Sequence, residues 1–131
     1  MASPHVLVVE DDACVRGLLH LLLEPKGYAV TEAATVEEAL LAIGGSARVD
    51  LIILDLVLGP ATRKSGLEML RTLRTHAEMA RLPVIILTGA AITEAEEDQI
   101  REDKAYVFYK PAKLSELQAY IARLVRPALA N

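Results

Sequence analysis

Apolar and polar positions along this chain follow two alternating periods. Four short apolar runs, Val6-Leu7-Val8-Val9, Leu51-Ile52-Ile53-Leu54, Val84-Ile85-Ile86-Leu87 and Tyr106-Val107-Phe108-Tyr109, have the length and the β-branched or aromatic content of strands. Tyr28-Ala29-Val30-Thr31 is a more mixed fifth. Between the runs lie longer segments in which apolar residues return at helical spacing. Val15, Leu18, Leu19 and Leu22 mark one helical face, which Pro25 and Gly27 bring to a stop. Val36, Ala39, Leu40 and Ile43 mark a second ahead of Gly44-Gly45. Leu67, Met69, Leu70 and Leu73 form a third after Gly66, and Leu114, Leu117, Ile121 and Leu124 another after Pro111. The segment from Thr93 to Asp103 opens like a capping box, Thr93-Glu94-Ala95-Glu96, with acids at the positive end of its dipole. Apart from Ile92 just before it, its only apolar residues are Ala95 and Ile100, which predicts a loosely packed helix.

Strands near 5–10, 28–33, 50–55, 83–88 and 105–109 alternating with helices predict an α/β fold of five βα units, a parallel sheet covered on both faces. The continuous apolar character of the first, third and fourth strands marks them as buried on both sides, and the mixed second suits an edge. No internal repeat, low-complexity tract or linker interrupts the pattern, so residues 1–131 read as one domain with a core of about 5–126. Because the chain stops soon after the last helix, no output domain is expected, and Met1 with the absence of a tail leads to the expectation of a complete chain.

Composition narrows the function. A chain of 131 residues, 53% hydrophobic, buries a real core. Its 14 basic and 18 acidic residues give a net charge of −4, and no basic run is longer than Arg63-Lys64. Direct binding to nucleic acid or to an anionic membrane surface is therefore not expected, and a protein or a small phosphate donor is the expected partner. No stretch resembles a signal peptide or a membrane span, and the single cysteine, Cys14, cannot form an internal disulfide, so a cytoplasmic setting is expected. Cys14 reads as a small hydrophobe, and His5, His20 and His76, which share no ligand spacing, as surface or packing residues.

The chemistry lies at the strand ends. Asp55 closes the third apolar run, where open α/β sheets place their sites. The first run leads into Glu10-Asp11-Asp12, the fourth into Thr88-Gly89 and the fifth into Lys110-Pro111. If the strands are parallel neighbours, acids, a hydroxyl and an ammonium converge on Asp55. Glu10-Asp11-Asp12 by itself reads equally as a helix N-terminus or as carboxylates for a hard, oxygen-preferring ion such as Mg2+. Asp55 alone reads either as a functional carboxylate or as a capping or turn residue, whereas Thr88 reads singly as a turn hydroxyl and Lys110 as a solvated lysine. Their occurrence together, at four separate strand ends, is what chance does not supply.

The set Val8-Val9-Glu10-Asp11-Asp12, Leu54-Asp55, Leu87-Thr88-Gly89 and Tyr109-Lys110-Pro111 resembles the response-regulator receiver family of two-component signalling, over essentially the whole chain. The resemblance implies a doubly wound, flavodoxin-like (βα)5 sheet of strand order 2-1-3-4-5. It implies that Asp55 takes a phosphoryl group from a sensor histidine kinase or a histidine phosphotransfer protein, assisted by Thr88 and Lys110. Mg2+ would be held by Asp11, Asp55 and the backbone carbonyl of Val57, with Glu10 acting through water. The domain is then a regulatory phosphoacceptor rather than an enzyme, one that assists its own phosphorylation and dephosphorylation and switches binding to a downstream protein.

Some positions depart from the family pattern. The switch aromatic three residues before the lysine is replaced by Val107, with Tyr106, Phe108 and Tyr109 around it. The loop from Leu56 to Gly66 is longer than usual and carries Arg63 and Lys64, either as a surface bulge or as a kinase-contacting or phosphate-screening rim. Val57 and Ala90, which by analogy flank the phosphoryl group, are apolar and should lengthen its life. Leu21 and Leu23, off the stripe of the first helix, and Tyr120 and Val125, beside that of the last, are expected to be exposed and to mark a partner or homodimer contact. A phosphohydrolase needs a second aspartate where Val57 stands, and a dinucleotide-binding domain needs a Gly-x-Gly-x-x-Gly that is absent. A receiver-like module that never cycles phosphate would not need all five of Glu10, Asp11, Asp55, Thr88 and Lys110.

Overall fold

The computed structural model describes residues 3–45, 48–59 and 64–127. Strands β1 (His5–Val9), β2 (Ala29–Ala33), β3 (Leu51–Leu54), β4 (Val84–Thr88) and β5 (Tyr106–Tyr109) alternate with helices α1 (Ala13–Leu23), α2 (Val36–Ile43), α3 (Ser65–Thr75), α4 (Glu94–Glu102) and α5 (Leu114–Leu124). All strand pairs are parallel, and the sheet order is β2-β1-β3-β4-β5. The fold is the α/β, flavodoxin-like one that the strand and helix periods and the resemblance led us to expect. The mixed β2 is an edge, as its composition required.

Side chains of the central strands divide between two cores with the period of two that a pleated strand imposes. Val6, Val8, Leu51, Ile53, Ile85 and Leu87 meet Leu19 and Leu23 of α1 and Leu117 and Ile121 of α5. Leu7, Val9, Ile52, Leu54, Val84 and Ile86 meet Ala39 of α2, four residues of α3 and Ile100 of α4 on the other side. Burying each such side chain contributes roughly 1.5–3 kcal/mol, which explains why three strands are apolar without alternation.

The face of α1 differs from the stripe of the hydrophobic pattern. Leu23 is fully buried, while Leu18 is 49% and Leu21 74% exposed. The run Leu18-Leu19-His20-Leu21-Leu22-Leu23 is apolar nearly all round, so periodicity alone leaves the rotation of the helix open; Val15, Leu19 and Leu23, one per turn, are the residues that face the sheet. Tyr120 and Val125 also depart from expectation. Both pack against the core beside α1 and α5, and the Tyr28 hydroxyl donates to the Val125 carbonyl at 2.7 Å. Helix α4 has the expected capping box and buries Ile100 alone.

One glycine sets how α3 meets the strand end. A Cβ on Gly66 would lie 2.3 Å from the Asp55 carbonyl oxygen and 2.7 Å from the Leu56 Cα, closer than any side chain tolerates. Gly66 therefore lets the first turn of α3 press on the backbone that carries Asp55, held by a bond from its amide to the Leu56 carbonyl at 2.9 Å.

Candidate functional site

The register brings the strand ends together. Val9 pairs with Leu54, and the Asp55 amide donates to the Val9 carbonyl at 3.0 Å, so the residues after β1 and β3 are neighbours. Thr88 pairs with Tyr109, and the Lys110 amide donates to the Thr88 carbonyl at 2.9 Å. From there the Lys110 side chain reaches across the sheet end, its Nζ 2.9 Å from Asp55 Oδ2 and 2.5 Å from Glu10 Oε1. Glu10 and Asp55 are buried, at 3% and 7% exposure, yet bridged by one ammonium.

The acidic triplet divides its roles. Asp12 caps α1, its Oδ1 accepting the amides of Cys14 at 2.8 Å and Val15 at 3.3 Å. Glu10 and Asp11 join Asp55 instead: one carboxylate oxygen from each of the three lies within 4.8 Å of the others. Asp11 is exposed and oriented by the Gly59 amide at 3.0 Å, which Gly59 presents from a left-handed φ of 107°. The triplet thus divides between a helix cap, Asp12, and an acidic cluster in which Glu10 and Asp11 meet Asp55.

Burial pushes the Glu10 carboxyl up to about 7, against the lowering effect of Lys110 and the Asp12 amide. Burial opposes the charge of Lys110, but its bonds to Glu10 and Asp55 outweigh this and hold its pKa above the usual lysine value. For Asp11, burial raises and the Gly59 amide lowers, with Glu10 adding to the lowering, and the net shift is downward. Three carboxylates facing one ammonium make an all-oxygen, electron-rich group of the kind a hard divalent cation neutralises.

Thr88 is fully buried, and its hydroxyl accepts the Ala90 amide at 3.1 Å. The Val57 amide donates to Asp55 Oδ1 at 3.3 Å, which sets the carboxylate from the side away from Lys110. Val107 packs on the core under α3 and α4, whereas Tyr106 lies on the opposite side of β5, its ring 5.0 Å from that of Tyr120 at 67°. Phe108 also meets Tyr120, at 5.4 Å.

Arg63 lies outside the described residues. Lys64 does not screen the acidic group: its Nζ donates to the Ala91 carbonyl at 2.6 Å and to Glu96 at 2.7 Å. Arg16 escaped the reading of the sequence, although its guanidinium donates to the backbone carbonyls of Glu10 at 2.8 Å and Asp11 at 3.2 Å. The available signal was a lone arginine one turn into a helix that starts beside an acidic pair.

The family model for the response regulator receiver domain matches residues 6–122. The chain belongs to the response regulator receiver family. Among relatives of this receiver, the regulatory protein VirG of Agrobacterium fabrum is 36% identical over 130 residues, covering 97% of this chain and 49% of VirG. The KDP operon transcriptional regulatory protein KdpE of Escherichia coli is 35% identical, over 93% of this chain and 51% of its own length. The receiver thus spans about half the length of these curated relatives. In structure it superposes on a response regulator receiver protein from Pseudomonas putida with a TM-score of 0.82 at 32% identity, covering 94% of this chain and 98% of that one. Chemotaxis protein CheY4 of Vibrio cholerae gives a TM-score of 0.80 at 26% identity, over 95% and 100%. Among the described residues no helix is long and apolar enough to cross a membrane.

Proposed function

We propose that Asp55 accepts a phosphoryl group from a phosphohistidine of a sensor kinase or histidine phosphotransfer protein, and that its phosphorylation state sets binding to a downstream protein. The observation that carries this reading is the Asp55 carboxylate itself, buried at a strand end between the Lys110 ammonium and the Val57 amide, beside Glu10 and Asp11.

In the transfer, an Asp55 carboxylate oxygen attacks phosphorus as the bond from phosphorus to the donor's imidazole nitrogen breaks. The electron pair stays on that nitrogen, and the product is a mixed anhydride on Asp55. Lys110, already on Asp55 Oδ2, is placed to follow the charge onto the phosphoryl oxygens, and the Thr88 hydroxyl has a hydrogen to donate there. Asp11, Asp55, the Val57 carbonyl and, through water, Glu10 are the residues that would hold Mg2+. When bound, that ion would offset charge on the phosphoryl oxygens. Val57 stands where a phosphohydrolase would need its second aspartate and cannot do acid–base work, which supports reading the domain as a regulatory acceptor.

The test is intact mass after incubation with acetyl phosphate and Mg2+. One phosphoryl group should be gained by the wild type and none by Asp55→Asn, since an amide is a poor nucleophile. Equal modification of the two proteins would remove Asp55 from the reaction.

A further inference from the structure

We propose that Lys64 is a positioning residue that restrains the connection between β4 and α4 in its unphosphorylated arrangement, and so sets how readily the phosphorylated arrangement forms. The inference rests on the reading of Asp55 as phosphoacceptor.

Lys64 stands at the foot of α3 but makes no side-chain cap there. Its ammonium leaves its own helix and takes two partners on the segment after Thr88: the Ala91 carbonyl at 2.6 Å and Glu96 Oε1 at 2.7 Å. That Glu96 oxygen also accepts the Thr93 amide at 2.9 Å, and Thr93 Oγ1 accepts the Glu96 amide at 3.1 Å. Lys64 is thus fastened to the capping box of α4 as well as to the loop before it. The two side chains are only 22% and 24% exposed, so this ion pair is better shielded than an ordinary surface pair and holds more firmly.

The two ends of this strap do not move together. Lys64 is two residues from Gly66, whose close seat on the backbone of Asp55 and Leu56 ties the foot of α3 to β3. On the other side, the Thr88 hydroxyl accepts the Ala90 amide, which folds the loop back on the strand end. Phosphoryl oxygens on Asp55 would draw the Thr88 hydroxyl as a donor, and as Thr88 Oγ1 turns toward them the Ala90 amide that it accepts must follow or be released, so residues 89–91 would have to settle anew. Lys64 grips Ala91 from an element that stays with β3, and so opposes this step. A ligand's apparent affinity falls with the fraction of protein in the competent arrangement, so loosening the strap tightens binding of anything that mimics the phosphoryl group.

Beryllofluoride with saturating Mg2+ is the probe, titrated into the full chain. Lys64→Met should bind it about five- to tenfold more tightly than wild type. Glu96→Gln, which keeps the cap but loses the ion pair, should bind more tightly by a smaller factor, and the double variant no more tightly than Lys64→Met. Lys64→Arg should stay near wild type. Without beryllofluoride, the amide resonances of Gly89 to Ile92 in Lys64→Met should move toward their positions in the bound wild type. Unchanged or weaker binding by both single variants overturns the strap, provided wild type binds and Asp55→Asn does not. Wild type that fails to bind, or Asp55→Asn that binds equally, overturns the phosphoacceptor reading itself.

Discussion

His20 shows how a side chain outside the site acquires a protonation state from its neighbours. Its Nε2 lies 2.7 Å from Glu24 and its Nδ1 2.8 Å from Glu32, and a neutral ring has a hydrogen for only one of them. Glu24 first, then Glu32, therefore hold the ring above the ordinary value of 6.5, with Arg16 beside Glu32 at 3.3 Å as the remaining charge. Because the folded value is raised, the stabilisation is complete below pH 6.5 and is lost as pH rises through the folded value. Melting from pH 6 to 9 at low salt should show wild type losing stability relative to His20→Gln, by less than about 1 kcal/mol for so exposed a group. A constant difference would mean the ring is neutral. If Asp55 is phosphorylated as proposed, the side chains of Val57 and Ala90 would act through what they lack. Neither offers a hydrogen bond to orient an attacking water, so phosphoryl-Asp55 should outlast that of a Val57→Asn, Ala90→Glu variant when dephosphorylation is followed by mass after donor removal. Equal rates would acquit these side chains.

At the scale of elements, the seating of α3 decides whether Asp55 is where its partners can reach it. Gly66→Ala would force a methyl group to within 2.3 Å of the Asp55 carbonyl oxygen, a backbone atom with no freedom to retreat. Either α3 lifts, exposing Leu67 and Leu70, or the strand end shifts away from Lys110. The expected cost is about 1–3 kcal/mol in urea unfolding, together with weaker beryllofluoride binding by the folded fraction. Full stability in that variant would show that the close approach is dispensable. The helices also show why periodicity has limits. Helix α3 has a clean apolar face, and its buried residues Leu67, Met69, Leu70 and Leu73 are those its pattern named. Helix α1 is leucine-rich nearly all round, and its rotation was settled by where the sheet and α5 left room for Leu19 and Leu23.

For the whole molecule, the order β2-β1-β3-β4-β5 means that the chain moves outward from β1 to β2 and then returns past it to β3. Connections diverge to opposite faces at β1 and β3, and the crevice they leave is where Glu10, Asp11 and Asp55 meet. The amino-acid sequence by itself determined the strands, because runs buried on both faces must be apolar throughout, and it determined Glu10, Asp11, Asp55, Thr88 and Lys110 as candidates, because polar residues that end such runs are conspicuous. The family, too, was legible in those strand ends. Tertiary structure alone decided what long side chains reach. Lys64 and Glu96 are 32 positions apart, Lys110 and Glu10 are 100 apart, and Arg16 serves the site through backbone carbonyls that no residue type announces. Periodicity records which side of an element is dry. It carries no term for the distance between two charged tips on different elements, and that distance is what turns Lys64 from a loop residue into a strap.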